Sequence, residues 1–365
     1  MPLTLQTFRP RPGTAVAAAL RALLGTAVLS LPVANVLAAD VTLPPISAGA
    51  GVRTSFTNFD PDSGDEVSDF ELNSARIYLS GKITDRISLM FNTEYTSGDE
   101  QIGVIDAVAQ FAFSDQFNIW AGRFLPPSDR ANLYGPYYAS HWGTFIDGVQ
   151  DGYPFETTGR DDGVMYWGQF GIAKVSFGLF DVKGLTKGTN DVLSAGRVQL
   201  DFWDPEGGYY LNGTYYGDKD LLAVGVAAQN ASGNNAYSLD FLLEKKLAAS
   251  GVVTLEAEYA KYDGLGGYPS PIATPYVKTD GYYLLGAYLF PQVVGIGKFQ
   301  ILGKYGQATY EYGAADIDQD TLELDVNYLI KQFNARVSLF YIDSSFDPQV
   351  GSDAKQIGLG LQVQL

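Results

Sequence analysis

The ionisable residues of this 365-residue chain fall at spacings that suit a wet, charged wall better than a reaction centre. Glu256 and Glu258 are two apart, as are Glu323 and Asp325, so in an extended strand each pair projects to one face. Glu94, Asp201, Asp240 and Glu244 occupy polar positions of other alternating segments, as do Arg76, Lys82, Lys174, Arg197, Lys304 and Arg336. Rings of carboxylate favour cations and rings of Arg or Lys favour anions. Eight acids against six bases predict a passage with weak cation preference or none, unless the charges pair across the wall. Another group lies between 123 and 162: Arg123, Asp129, Arg130, Asp147, Asp151, Glu156, Arg160, Asp161 and Asp162. Arg123, Arg130 and Arg160 are the candidate anion contacts. Glu256, Glu258, Glu323 and Asp325 are the candidate cation contacts.

Composition narrows the alternatives. The chain has no Cys, which excludes disulfides, thiolate metal sites and Cys nucleophiles. A single His cannot build a multi-His metal centre. His141, in ASHWG beside Ser140, is the one conventional imidazole base, and no G-x-S-x-G elbow is present. Packing against loop aromatics is therefore the expectation for His141, and no enzyme activity or cofactor is predicted. A net charge of −17 repels phosphate backbones, so nucleic acid is not an expected partner. DPDSGDE (60–66) and the Asp316, Asp318, Asp320 triplet have oxygen-ligand spacing for Ca²⁺, but acidic outer loops are common and no metal site is assigned.

These charges must be positioned by strands. After residue 40 no apolar run approaches the roughly 20 residues of a membrane helix. Period-two alternation recurs instead, in segments bounded by Gly, Asp, Asn and Pro. In QIGLGLQVQL, Ile357, Leu359, Leu361, Val363 and Leu365 oppose Gly358, Gly360, Gln362 and Gln364. Tyr and Phe gather near segment ends, as interfacial girdles require. The fold class is therefore an all-β transmembrane antiparallel barrel, with its apolar faces toward lipid and a polar lumen. Seventeen candidate strands can be marked, the weaker ones at 116–124, 162–169, 207–217 and 219–229. A closed single-chain barrel needs an even number. Loop parity breaks between about 205 and 263, so one candidate there is spurious; sixteen strands are predicted, with eighteen as the alternative.

Two segments stand apart. Arg9, Arg11 and Arg21, the small apolar run Ala22 to Val36 and the ending Val36-Leu37-Ala38 predict a cleaved secretory signal peptide over 1–38, leaving 39–365 as the barrel. Residues 125–161 form the longest connection, rich in Tyr, Trp, Phe and Pro. Such a loop is expected to fold against the inner wall and narrow the pore.

GRFLPPSDRANLYGPYY (122–138), GRDDGVMYWGQF (159–170) and GYYLNGTYYGDKDLLAVGVAAQ (208–229) resemble the phosphate-selective porin O and P family. The resemblance extends as a looser pattern along the rest of the chain after residue 38. It implies a sixteen-stranded, homotrimeric porin of the outer membrane that passes small solutes and ions, with lipid and lipopolysaccharide as surroundings. It also implies anion or phosphate selectivity through a ladder of Arg and Lys, and here the chain departs from the family, because its polar faces carry more acid than base.

Overall fold

The computed structural model describes residues 46–96, 101–143, 159–181, 192–248, 250–265, 277–313, 315–349 and 353–365. Alternating apolar and polar residues give sixteen strands: β1 (Ile46–Pro61), β2 (Val67–Lys82), β3 (Ile87–Thr96), β4 (Gln101–Ser114), β5 (Phe117–Phe124), β6 (Asp161–Phe170), β7 (Ala173–Asp181) and β8 (Val192–Asp201) in the first half. The second half supplies β9 (Leu221–Ala231), β10 (Asn234–Leu247), β11 (Gly251–Asp263), β12 (Lys278–Val294), β13 (Gly297–Glu311), β14 (Asp316–Lys331), β15 (Ala335–Asp347) and β16 (Ala354–Gln364). Each strand pairs antiparallel with its sequence neighbours, and β1 closes on β16 from Gly51↔Gln364 to Pro61↔Ala354. Closure leaves no unpaired edge.

The two faces differ as a membrane requires. Ile77, Leu79, Val226, Leu239, Leu284, Leu324, Ile357, Leu359 and Leu361 are exposed on the outer surface. In water, each fully exposed side chain of this size forfeits about 1.5–3 kcal/mol of burial, whereas lipid solvates them. Aromatic pairs mark both ends of this belt: Phe56 with Phe70 at one, Phe113 with Phe117 and Phe299 with Tyr328 at the other. The polar alternates point inward and are buried.

The spurious candidate is 207–217, which is not a strand. Residues 202–220 connect β8 to β9 at the end of the barrel where the other connections have two to four residues. Positive φ at Gly208, Tyr216 and Gly217 breaks the extended chain. Apolar bulk also falls on both parities, with buried Tyr209 and Leu211 beside half-buried Tyr210. The segment turns into the barrel rather than joining its wall.

Candidate functional site

The interior is built from strand charges that meet two inserted loops. After β5, the chain passes Pro126 and Pro127 and forms the single-turn helix α1 (Arg130–Tyr134). Asp129 caps it, accepting a hydrogen bond from the Asn132 N–H at 2.7 Å, and Gly135 ends it at φ 60°. Burial raises the Asp129 carboxyl above its ordinary value, partly offset by the hydrogen bonds from Asn132 and Ser128. The described part of this loop continues to Gly143 along the inner wall, and nearly all of it is buried.

Each backbone polarity of the loop meets the opposite charge. Arg336 donates to the carbonyls of Ala139 and Ser140 at 2.7 and 3.0 Å, and Arg53 donates to that of Trp142 at 2.7 Å. On the other side, the Trp142 N–H donates to Glu323 and Asp325 at 2.9 and 2.8 Å, and the Gly143 N–H donates to Glu323 at 2.6 Å. Nearer α1, Glu258 accepts from the Ala131 N–H at 3.2 Å, and Tyr283 donates its hydroxyl to Glu256 at 2.8 Å. Charged partners make such bonds about twice as strong as neutral ones. Aromatic rings pack among these charges. Arg76 lies under Tyr137, and Trp142 stacks on Phe340 with centroids 5.6 Å apart. A side chain at Gly360 would meet the Trp142 ring at 2.5 Å, so the small residues on the polar face of β16 form the seat of the indole.

The second loop, 202–220, meets the first from the opposite end. Arg130 and Glu206, both fully buried, form an ion pair, and Arg130 also donates to the Asn212 carbonyl at 2.9 Å. Backbone bonds join Leu211 to Leu133 at 3.2 Å and Gly213 to Tyr138 at 2.9 Å. Gln199 and Tyr215 donate to Glu206 at 2.7 and 2.9 Å. Desolvation would push the Glu206 carboxyl up, but the charge and hydrogen bonds of Arg130 outweigh it and hold the group below the usual carboxylate range. Glu244 fastens the same loop by accepting from Thr214, Tyr215 and Gly217.

The sequence-predicted residues are distributed as follows. Arg76, Glu94, Arg197, Glu256, Glu258, Lys304, Glu323, Asp325 and Arg336 are all buried inside the barrel. Arg76 pairs with Glu94 at 2.8 Å, Arg197 pairs with Asp240, and Lys304 is the cross-strand partner of Glu323. Arg123 and Asp162, expected in the lumen, instead meet at 3.3 Å on the outward parity of β5 and β6, shared with exposed Val164, because Phe124 and Asp161 take the buried inward positions beside them. Arg160 pairs with Asp106 at 3.5 Å. Lys82 is exposed at the end of β2. Asp147, Asp151 and Glu156 lie outside the described residues.

His141 differs from its expectation. Its buried ring sits between the Glu323 carboxylate and the Lys304 ammonium, each 3.5 Å away, so ions rather than aromatics alone surround it. Among the described residues, no group of three or more His, Asp or Glu is placed to hold a metal. Asp316, Asp318 and Asp320 all lie on the outward parity of β14, opposite buried Ile317 and Gln319. Three interior charges escape a sequence reading. Glu206 sits in what reads as a plain DPEGG turn. Arg53 lies on the inward face of β1 beside Ser55. Asp106 follows a register shift at Asn92/Thr93, which leaves consecutive Ile105 and Asp106 both buried and defeats strict alternation.

A closed sixteen-stranded barrel with an apolar outer belt, aromatic girdles and a charged interior crossed by inserted loops is an outer-membrane barrel of the porin type. Residues 46–147 match the phosphate-selective porin O and P family. Among solved structures, OprB of Pseudomonas putida aligns with a TM-score of 0.60 at 9% identity, over 88% of this chain and 94% of its own. OmpF of Salmonella typhi aligns at 0.58 and 14% identity, over 88% and 98%. The anion-selective porin of Comamonas acidovorans aligns at 0.53 and 13% identity, over 88% and 99%. No curated protein matches the chain. At such identities the structural likeness speaks to the fold alone.

Proposed function

We propose that this chain is an outer-membrane porin for passive diffusion of small hydrophilic solutes and ions, with weak cation preference or none. Residues 1–38 are removed as a signal peptide on export, 125–161 narrow the pore, and the working form is a homotrimer set in lipid and lipopolysaccharide. The observation that carries the selectivity is the interior charge balance: among the described residues, twelve buried carboxylates face seven buried Arg and Lys side chains. Arg130, Arg197, Arg336 and Arg53 already serve carboxylates or loop carbonyls, which removes much of their pull on a passing anion. A net acidic field concentrates cations.

Anion selectivity is the second reading. It is favoured by the family match and by Arg76, Arg53 and Arg336 on β2, β1 and β15, with only β16 between the last two strands.

The zero-current potential of the refolded protein in a planar bilayer under a salt gradient decides between them. A cation sign supports the first reading. Neutralising Glu256, Glu258, Glu323 and Asp325 together should then move the potential toward anions. An anion sign that inorganic phosphate suppresses would overturn it, and absence of conductance would overturn the channel itself.

A further inference from the structure

At the short-turn end of the lumen, beside the tip of the 202–220 loop, lies a cavity of about 420 Å³. Small-molecule sites begin at roughly 300 Å³. Tyr216, Val252, Leu289 and Leu329 line it and pack with Phe333 into a buried apolar cluster, in which the Tyr216 and Phe333 rings are 4.9 Å apart. Lys246, Lys298 and Lys331 line the same cavity. Lys246 and Lys298 occupy inward register positions, two residues from buried Glu244 and Gln300, and Lys331 reaches the cavity from the end of β14, just past the register shift at Leu329/Lys331. None of the three ammonium groups has a carboxylate within ion-pair distance among the described residues, although Asp218 also lines the space and accepts from Gln332 at 2.7 Å. The loop tip is fitted to the cavity. Gly217 has φ +82°, and a side chain there would meet Val252 Cγ2 at 2.6 Å.

We propose that this vestibule binds a small amphipathic anion, an aryl or short branched alkyl chain carrying one carboxylate or sulfonate. The apolar floor gains nothing from a fully hydrated ion such as phosphate, whereas it removes a ring or alkyl chain from water. Three lysines against one aspartate then select a negative head group and disfavour a cationic one. The assignment is independent of the lumen's ion preference and of the channel reading, because it is tested by binding alone.

The test uses the full barrel in lipid nanodiscs and fluorophenylbutyrate as the probe, followed by ¹⁹F line broadening. Wild-type protein should broaden the signal saturably, with empty nanodiscs giving only a small, linear effect. Replacing Lys246, Lys298 and Lys331 by Gln should weaken affinity by about tenfold or more, the loss expected for charged hydrogen bonds. These side chains sit at the rim and Lys246 and Lys331 are exposed, so the barrel ladder is untouched; K331Q alone should give a partial loss. Equal affinity in wild type and triple variant would overturn the proposal. So would equal binding of fluorophenethylammonium, displacement of the probe by an equal concentration of inorganic phosphate, or empty nanodiscs reproducing the full effect.

Discussion

Replacing Glu206 by Gln removes one charge from the junction between the two inserted loops and leaves its shape intact. Glu206 and Arg130 are both fully buried, and the nearest alternative carboxylate for Arg130 is Asp240, 3.8 Å from its Nε and already engaged by Arg197. Breaking a buried pair by removing one partner costs about 3–5 kcal/mol, because the remaining charge stays uncompensated. Opening of the loop junction should therefore become about 10²–10³-fold more frequent, at about 1.4 kcal/mol per factor of ten. The chain has no Cys, so a single L211C substitution at a buried junction residue reports opening without background. The rate of maleimide modification of L211C should rise about a hundredfold or more when E206Q is added. R130M/E206M, which removes both charges, should bring the rate back toward that of L211C alone. Barrel melting should change little, since the strand ladder is untouched. Identical modification rates with and without E206Q would refute the argument that this ion pair holds the loops together.

Three further outcomes follow from the same interior. The Glu206 carboxyl lies below its unfolded value, so its contribution is complete above about pH 4.3 and is lost as pH falls through the lower folded value; the L211C labelling rate, divided by that of a fully exposed Cys at the same pH to cancel the loss of thiolate, should rise below about pH 4, and E206Q should flatten that dependence. Gly360→Leu places a side chain where the Trp142 ring lies, so the indole must leave Phe340 and Arg53 at a cost of about 3–5 kcal/mol; tryptophan emission should shift to the red and single-channel conductance should rise, and unchanged spectra would contradict the seat. Asp129→Ala removes the α1 cap and should destabilise the loop by about 1 kcal/mol, read as a severalfold faster digestion of the loop with the barrel left intact.

The sequence alone determined the barrel, its even strand number and the polar, inward parity of its most regular strands. Period-two alternation is a local signal, and a one-residue slip would send every charge to lipid, so Glu256, Glu258, Glu323, Asp325 and Arg336 could be assigned to the interior without a partner in sight. Loop parity even showed that a strand candidate between 205 and 263 had to fail. It could not identify 207–217, since tyrosines spaced along a Gly-rich stretch look alike whether they face lipid or fill a lumen. Only the tertiary structure decided which charges meet. Glu206 finds Arg130 across 76 residues, and Glu323 finds the Trp142 backbone across 181. Such pairings depend on barrel closure and on the depth to which two loops descend from opposite ends. The glycines of β16 show the same division. Alternation put them on the inner face, but the ring of Trp142, brought there by a loop more than 200 residues away, is what requires Gly360 to be small.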